Sequence, residues 1–323
     1  MKKLFTIVFA LLLLVGCGGT SNDNQTSDDS QKTFDVGVIQ LVQHVALDAA
    51  TQGFIDALNQ QLGQENVNVE VKNASGEITN CTTIANGFVS SGVDLIMANA
   101  TPALIAAAAA TSDIPILGTS VTDYASALEV ENFNGVVGRN ISGTSDLAPL
   151  DGQAQMIKEL FPEAKTVGII FCSSESNSAY QVEVISQELS KLGIEAKEFS
   201  FTDTNDITSV VQAACDNSDV LFVPTDNTAA ANVEAIGNVV LPAQKPMVAG
   251  ESGIAKGCGV ATLSIDYYDL GFATGLQAAK ILSGEADVSN MPIEYAKDFA
   301  KLFNKDICEQ LNIEVPQDYQ PID

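Results

Sequence analysis

The segment Asp219-Val-Leu-Phe-Val-Pro-Thr-Asp-Asn-Thr228 decides how the rest of the chain is read. Its first five residues are mostly apolar and β-favouring, a proline ends them, and a polar cluster leads into an alanine-rich run over 229–235. This pattern predicts a buried parallel strand, a short loop at its carboxyl end, and a helix. Loops in that position are where open α/β sheets hold ligands. Asp94-Leu-Ile-Met-Ala-Asn-Ala-Thr-Pro102, followed by the apolar run 103–110, repeats the arrangement. Two such units in one chain predict two similar lobes that face each other.

The flanking sequence extends the pattern on both sides. Phe34–Gln40 reads as a first strand, followed by a helix with Ala46, Leu47, Ala50, Phe54, Ile55, Leu58 and Leu62 on one side. Val67–Val71, the helix Ile78–Val89, Asp94–Ala98, a helix opened by Pro102, and Ile114–Leu117 complete a β-α-β-α-β-α-β first half. The alternation restarts with a helix over Leu150–Leu160, the strand Lys165–Phe171, and a helix to about Leu192. Strand Ile194–Phe199, helix Asp206–Asp216, the opening strand, a helix over Thr228–Val240 and strands Pro246–Ala249 and Gly259–Leu263 follow. A helix from Ile265-Asp-Tyr-Tyr-Asp-Leu-Gly271 to Ser283, extended structure over Ile293–Phe303 and a last short helix end the chain. The expected fold is α/β, with two Rossmann-like lobes joined by a hinge. Crossings are expected near Gly143–Asp146, Ser264–Asp266 and Ser289–Pro292. They put 34–145 plus 265–289 in lobe 1, and 146–264 plus 290–323 in lobe 2.

Lys2 and Lys3 precede a short apolar stretch, Leu4–Val15, which is too short for a comfortable membrane span. Leu14-Val-Gly-Cys17 closes it and resembles a bacterial lipobox. That resemblance implies a signal peptide over 1–16 and an acylated Cys17, with 17–33 as a polar, flexible tether. Five cysteines then remain: Cys81, Cys172, Cys215, Cys258 and Cys308. An odd number without a CxxC reads as buried free thiols, with room for one disulfide of unspecified pairing. A single histidine leaves no zinc ligand set by spacing.

Charge excludes some partners. The 323 residues carry 15 basic and 41 acidic side chains, a net of −26, and Arg139 is the only arginine. Such a surface is unsuited to nucleic acid, whose binding depends on Lys and Arg. It also argues against direct docking on anionic lipid, though not against a lipid anchor. No Gly-x-Ser-x-Gly elbow, Gly-x-Gly-x-x-Gly turn or phosphate loop is present, and His44 has no nucleophile at a recognised spacing. The chain reads as a binding protein rather than an enzyme, with no metal or cofactor.

Polar clusters recur at the predicted strand ends. In the first half they include Gln40, His44, Thr101, Ser120 and Thr122, with Asp146 as a further candidate at a crossing. In the second half they include Ser173, Ser174, Asn177, Ser178, Thr225, Asp226, Asn227 and Glu251, with Asp266 and Tyr267 at a crossing. Thr101-Pro102 and Ser176–Ser178 sit where helix N-termini favour a carboxylate, and Asp226 is expected to take an ammonium group. Poles of both signs in one cleft suit a zwitterion. Tyr267 and His44 are the candidates to face its side chain.

Several stretches together resemble the substrate-binding component of ABC importers, and more narrowly the family that includes the tryptophan/tyrosine-type binding proteins. They are Val38–Asp48, Val93–Pro102, Ile114–Asp123, Ser173-Ser-Glu-Ser-Asn-Ser178, Val223-Pro-Thr-Asp-Asn227 and Ile265–Gly271. The resemblance covers about Phe34–Ile313 and implies a type I periplasmic-binding fold. It also implies capture of a small amino acid, commonly aromatic, by an extracytoplasmic lipoprotein. Such a protein is expected to be a monomer that works with a permease and its ATPase and is held at the membrane by the lipid on Cys17. Two departures bear on the ligand. Val45 follows His44 where the family usually has proline, and Glu251-Ser252 stands where paired acidic residues are common. Two readings compete with import of an amino acid. One is a sugar or nucleoside binder on the same fold, although the chain has no Trp and only 6% aromatic residues. The other is a sensing lipoprotein that presents its closed form to a receptor.

Overall fold

A computed structural model describes residues 33–322; the expected signal peptide, the expected lipidation at Cys17 and all but residue 33 of the expected tether lie outside the described residues. The apolar run Phe34–Gln40 forms β1 and leads through α1 (Val45–Leu62), β2 (Val67–Asn73), α2 (Ile78–Ser91) and β3 (Leu95–Asn99). Then come α3 (Thr101–Ala110), β4 (Ile116–Val121), α4 (Tyr124–Ala127) and β5 (Ile141–Ser145). The second half runs α5 (Leu150–Leu160), β6 (Thr166–Cys172), α6 (Ser176–Lys191), β7 (Glu195–Phe201) and α7 (Ile207–Asn217). It continues with β8 (Val220–Val223), α8 (Asn227–Ala230), α9 (Val233–Val240), β9 (Met247–Ala249), α10 (Ser252–Cys258) and β10 (Ala261–Ser264). The tail holds α11 (Tyr267–Leu282), β11 (Glu294–Tyr295), β12 (Ala300–Phe303), α12 (Lys305–Leu311) and β13 (Gln320–Pro321).

Two sheets result. One has the order β2-β1-β3-β4-β5-β11, the other β7-β6-β8-β9-β10-β12-β13. Both begin with the same doubly wound arrangement, and all pairings are parallel except β10 with β12. Each sheet is apolar on both faces because helices cover both, which is why its central strands read as continuous hydrophobic runs. Strand order reverses between β1 and β3, and between β6 and β8, and the loops there open a crevice.

Three segments join the sheets, after β5, after β10 and after β11. The last crossing comes later than the 289/290 boundary expected from sequence. Glu294 and Tyr295 still pair with Thr144 and Ser145 of β5, and Ile293 is buried in the first core. Hydrogen bonds hold this stretch down, since the Ser142 hydroxyl donates to the carbonyls of Met291 and Pro292.

After the second crossing, α11 packs lengthwise on α1, and glycines permit the close approach. A Cβ on Gly271 would overlap the carbonyl of Ala50, and one on Gly53 would overlap that of Tyr268. Gly271→Ala is therefore expected to force the helices apart and to cost about 1–3 kcal/mol. The check is a fall in the urea midpoint with an unchanged m-value.

Three further differences from the sequence expectation have local causes. The helix expected over 228–240 is broken into α8 and α9 at Ala231–Asn232, where Asn232 turns its amide onto the carbonyl of Thr228. A helix, α10, stands between β9 and β10 and is started by the Glu251 carboxylate, which accepts from the amides of Gly253 (2.6 Å) and Ile254 (2.5 Å). β5 is the third; its Ser and Thr side chains are buried by hydrogen bonding rather than by apolar packing. All five cysteines of the described residues are buried and free.

Candidate functional site

The carboxyl ends of both sheets meet across the crevice. On the first side, β1 ends at Gln40 and β3 at Asn99. Gln40 donates to the carbonyl of Val42 (3.0 Å) and to Asp48 (2.6 Å), and accepts from Thr51 (2.7 Å). Asn99 donates to the carbonyl of Leu47 and to Thr51. Both side chains fasten the start of α1 to the sheet; Gln40 is engaged through both its amide nitrogen and its oxygen, whereas Asn99 Oδ1 is buried without a hydrogen-bond partner.

The next two positions differ in kind. Thr101, in the first turn of α3, is 2% exposed, and Ser120, at the end of β4, is 5% exposed; neither hydroxyl has a hydrogen-bond partner. An unpaired buried hydroxyl costs about 1–3 kcal/mol. The backbone is also strained here, with positive φ at Ala100 (95°) and Ser120 (53°), neither of which is glycine. Strain and orphaned donors together at two adjacent strand ends make Thr101 and Ser120 candidate ligand donors.

Asp146 closes β5 at the first crossing. It is 3% exposed and accepts from the hydroxyls of Thr122 (3.2 Å) and Tyr267 (3.0 Å), both neutral donors. Burial pushes its carboxyl up to about 6, a rise that these two hydrogen bonds oppose and the charge of Glu251 assists. Glu251, 2% exposed at the start of α10, is also raised by burial, against the pull of His44 and of its two helix amides. Burial, followed by the charges of Asp146 and Glu251, drives the Tyr267 phenol far above its usual range. Asp146, Glu251 and Tyr267 thus form one acidic group beside the hinge. Among the described residues, no group of three or more His, Cys, Asp or Glu side chains is arranged to hold a metal ion.

The second wall is built around carboxylates that face inward. Asp226 is 1% exposed and spends its oxygens on its own lobe: the Cys172 amide (2.6 Å), the Ser178 hydroxyl (2.8 Å) and the Ala229 amide (2.8 Å). Burial and the neighbouring charge of Glu175 push it up to about 7. Glu175 accepts from the amide and side chain of Asn227 and from the amide and hydroxyl of Thr228. It lies within the Ser-Ser-Glu-Ser-Asn-Ser segment, yet sequence reasoning passed it over in favour of the hydroxyls. An acidic residue at the start of a helix, facing a second helix start, was the available signal. Gln181 was also missed; it pairs with both the carbonyl and the amide of Thr225.

The remaining candidates fall into place around these. Asn177 donates to Glu175 and to the carbonyl of Thr225, and its carbonyl oxygen is buried and unpaired. Ser173 and Ser174 are exposed and engage Phe201 and Cys172. Asp266 is exposed and caps α11 through the amides of Tyr268 and Asp269. His44 reaches across the crevice to Asn227, Nε2 to Oδ1 3.4 Å. Beside that contact lies an interlobe recess of about 400 Å³, with Leu41, Val42, Ile78 and Pro102 on one wall and Glu175 and Asn227 on the other.

This arrangement offers neutral donors at Thr101 and Ser120, carboxylates beside the hinge, and an apolar wall in the recess. Comparison with known proteins points the same way. The profile of ABC transporter substrate binding proteins matches residues 35–319. A tyrosine-binding protein of Clostridioides difficile is 32% identical across 97% of this chain and 93% of its own length. Among solved structures, an ABC domain from Streptococcus pneumonia in complex with L-Trp is 31% identical, with a TM-score of 0.85 over 88% of this chain and 97% of that one. The ligand-free, open structure of a substrate binding protein with adhesive properties from Clostridium difficile is 35% identical. It covers 90% of this chain and all of that one, but its TM-score is only 0.69. The chain thus superposes better on the L-Trp complex than on the ligand-free, open structure, although its identity to the latter is higher.

Proposed function

The chain belongs to the ABC transporter substrate-binding protein family, and from that premise we propose that it captures an aromatic amino acid of the tyrosine or tryptophan kind between its lobes. The family is one of extracytoplasmic binding proteins rather than enzymes; its members take up small molecules and work with ABC transporters. The observation that carries the ligand class is the pairing of two orphaned, buried hydroxyls with a buried acidic group whose hydrogen-bond donors are neutral. Thr101 and Ser120 gain partners when they donate to a carboxylate. Asp146, seconded by Glu251, gains a positive partner when an ammonium group arrives. The ring then extends along the apolar wall of the recess.

Hinge closure brings the halves of the site together, and the His44–Asn227 contact latches the closed form. The better superposition on the L-Trp complex than on the open, ligand-free neighbour supports a closed state here. Cys17 supplies the lipid anchor, and the protein delivers its ligand, as a monomer, to an import permease driven by its ATPase.

Titration calorimetry with L-tyrosine, L-tryptophan and L-phenylalanine, with ribose and myo-inositol as controls, tests the ligand class. Binding of at least one of the three amino acids and of neither control is expected. Binding of a sugar alone would overturn the reading. Radiolabelled palmitate should enter the full-length protein and not Cys17→Ala; equal labelling would remove the anchor.

A further inference from the structure

We propose that ligand capture by this protein expels a proton from the acidic group beside the hinge, so that it holds its zwitterion less tightly as the medium acidifies. The inference rests on the amino-acid reading above and adds to it a coupling between binding and pH. Its basis is geometric. Asp146 and Glu251 are buried together at the meeting of β5, α10 and α11, and Asp146 has only neutral hydroxyls as hydrogen-bond partners.

The groups facing this pair come from five elements besides β5. From the end of β4 comes the Thr122 hydroxyl, from α4 the Tyr124 phenol, and from the start of α11 the Tyr267 phenol. α10 supplies Glu251 itself and the Cys258 thiol, and the start of α1 supplies His44, whose charge acts on Glu251. The ion pairs of the described residues, such as Lys301 with Glu159 and Asp318 or Lys191 with Glu188, lie elsewhere on the surface. A carboxylate so placed keeps its proton longer than one in water, and Asp146 keeps it up to about pH 6.

The sign follows from which form each state prefers. In the empty site, Asp146 is protonated below about pH 6. An ammonium group beside it favours the ionised form, so binding in that range displaces the proton to solvent. The amino acid stays zwitterionic throughout, so the proton released comes from the protein alone. Affinity therefore rises with pH up to about 7 and is level above that. For one group of this kind, roughly tenfold weaker binding is expected at pH 5 than at pH 7.5.

Calorimetry of the protein with L-tyrosine and L-tryptophan in two buffers of different protonation enthalpy counts the protons directly. Close to one proton released per ligand at pH 5, falling towards none at pH 7.5, is the expected result. Tight binding with no proton release at any pH overturns the inference and leaves the amino-acid reading standing. Absence of binding by either amino acid at every pH overturns both. Two variants separate the sources of the effect: His44→Gln should keep the proton release, and Asp146→Asn should lose it. Loss in His44→Gln with retention in Asp146→Asn would assign the coupling to the imidazole and overturn it for the carboxylates. The proton count of the unaltered protein stands whether or not either variant folds.

Discussion

Asp146→Ala is expected to weaken tyrosine or tryptophan binding by about 2–5 kcal/mol, roughly 30-fold to a few thousandfold in Kd, with little change in the melting temperature of the empty protein. The binding term is large because the ammonium group would be left buried without its countercharge. The stability term is small because two effects oppose. Removing the carboxylate strands the hydroxyls of Thr122 and Tyr267, but it also removes a desolvated charge at 3% exposure. Asp146→Asn keeps the shape and loses the charge, and it should weaken binding in the same direction. Calorimetry gives the affinity and a thermal melt gives the stability. An unchanged Kd in both variants would remove Asp146 from the site.

Asp226→Ala is expected to act on the fold before it acts on the ligand. Three buried donors, the Cys172 amide, the Ser178 hydroxyl and the Ala229 amide, end on its carboxylate, and each donor left unpaired costs about 1–3 kcal/mol. Relief of its repulsion with Glu175 offsets part of this, so a net loss of about 3 kcal/mol and a lowered melting temperature follow. A pH signature accompanies it. The folded-state value of about 7 lies above the ordinary 3.8, so the folded chain binds this proton more tightly than the unfolded one. The contribution is complete below about pH 4 and is lost as pH rises towards 7. The unfolding free energy of the empty protein should fall over that window, and less steeply in Asp226→Asn. A melting curve like that of the unaltered protein, together with lost binding, would return the ammonium role to Asp226.

The contrast between these two aspartates shows what the sequence can and cannot reveal about a site. Asp226 was legible as a polar residue at a strand end, because a hydrophobic run that stops at a polar cluster marks the loop end of a parallel strand; Asp146 was legible only as a polar residue at an expected crossing. Which of them faces a ligand was not legible. That depends on the donors that reach each carboxylate, and those come from 54 positions away for Asp226 and 121 positions away for Asp146. Glu175 was overlooked for the same reason: its role is set by the start of α8, which lies about 50 residues downstream.

The elements divide along similar lines. The repeating β-α order and the central strands β1, β3, β6 and β8 are written in local sequence, and with them two doubly wound sheets whose loops gather on one edge. Those strands are apolar on both faces, and that property is local. β5, the late third crossing and the closeness of α1 to α11 depend instead on contacts between distant parts of the chain. Ile141-Ser-Gly-Thr-Ser145 has no apolar alternation, and its polar side chains become buried only because Thr119, Thr274 and the carbonyls of Thr122, Met291 and Pro292 meet them. Gly143 fits that place with a φ of 139°, where a Cβ would overlap the backbone of Gly118. Asp146 stands at the end of this strand, and the hydroxyls that hold its carboxylate come from Thr122 and Tyr267, 24 and 121 positions away, a pairing which no window of local sequence contains.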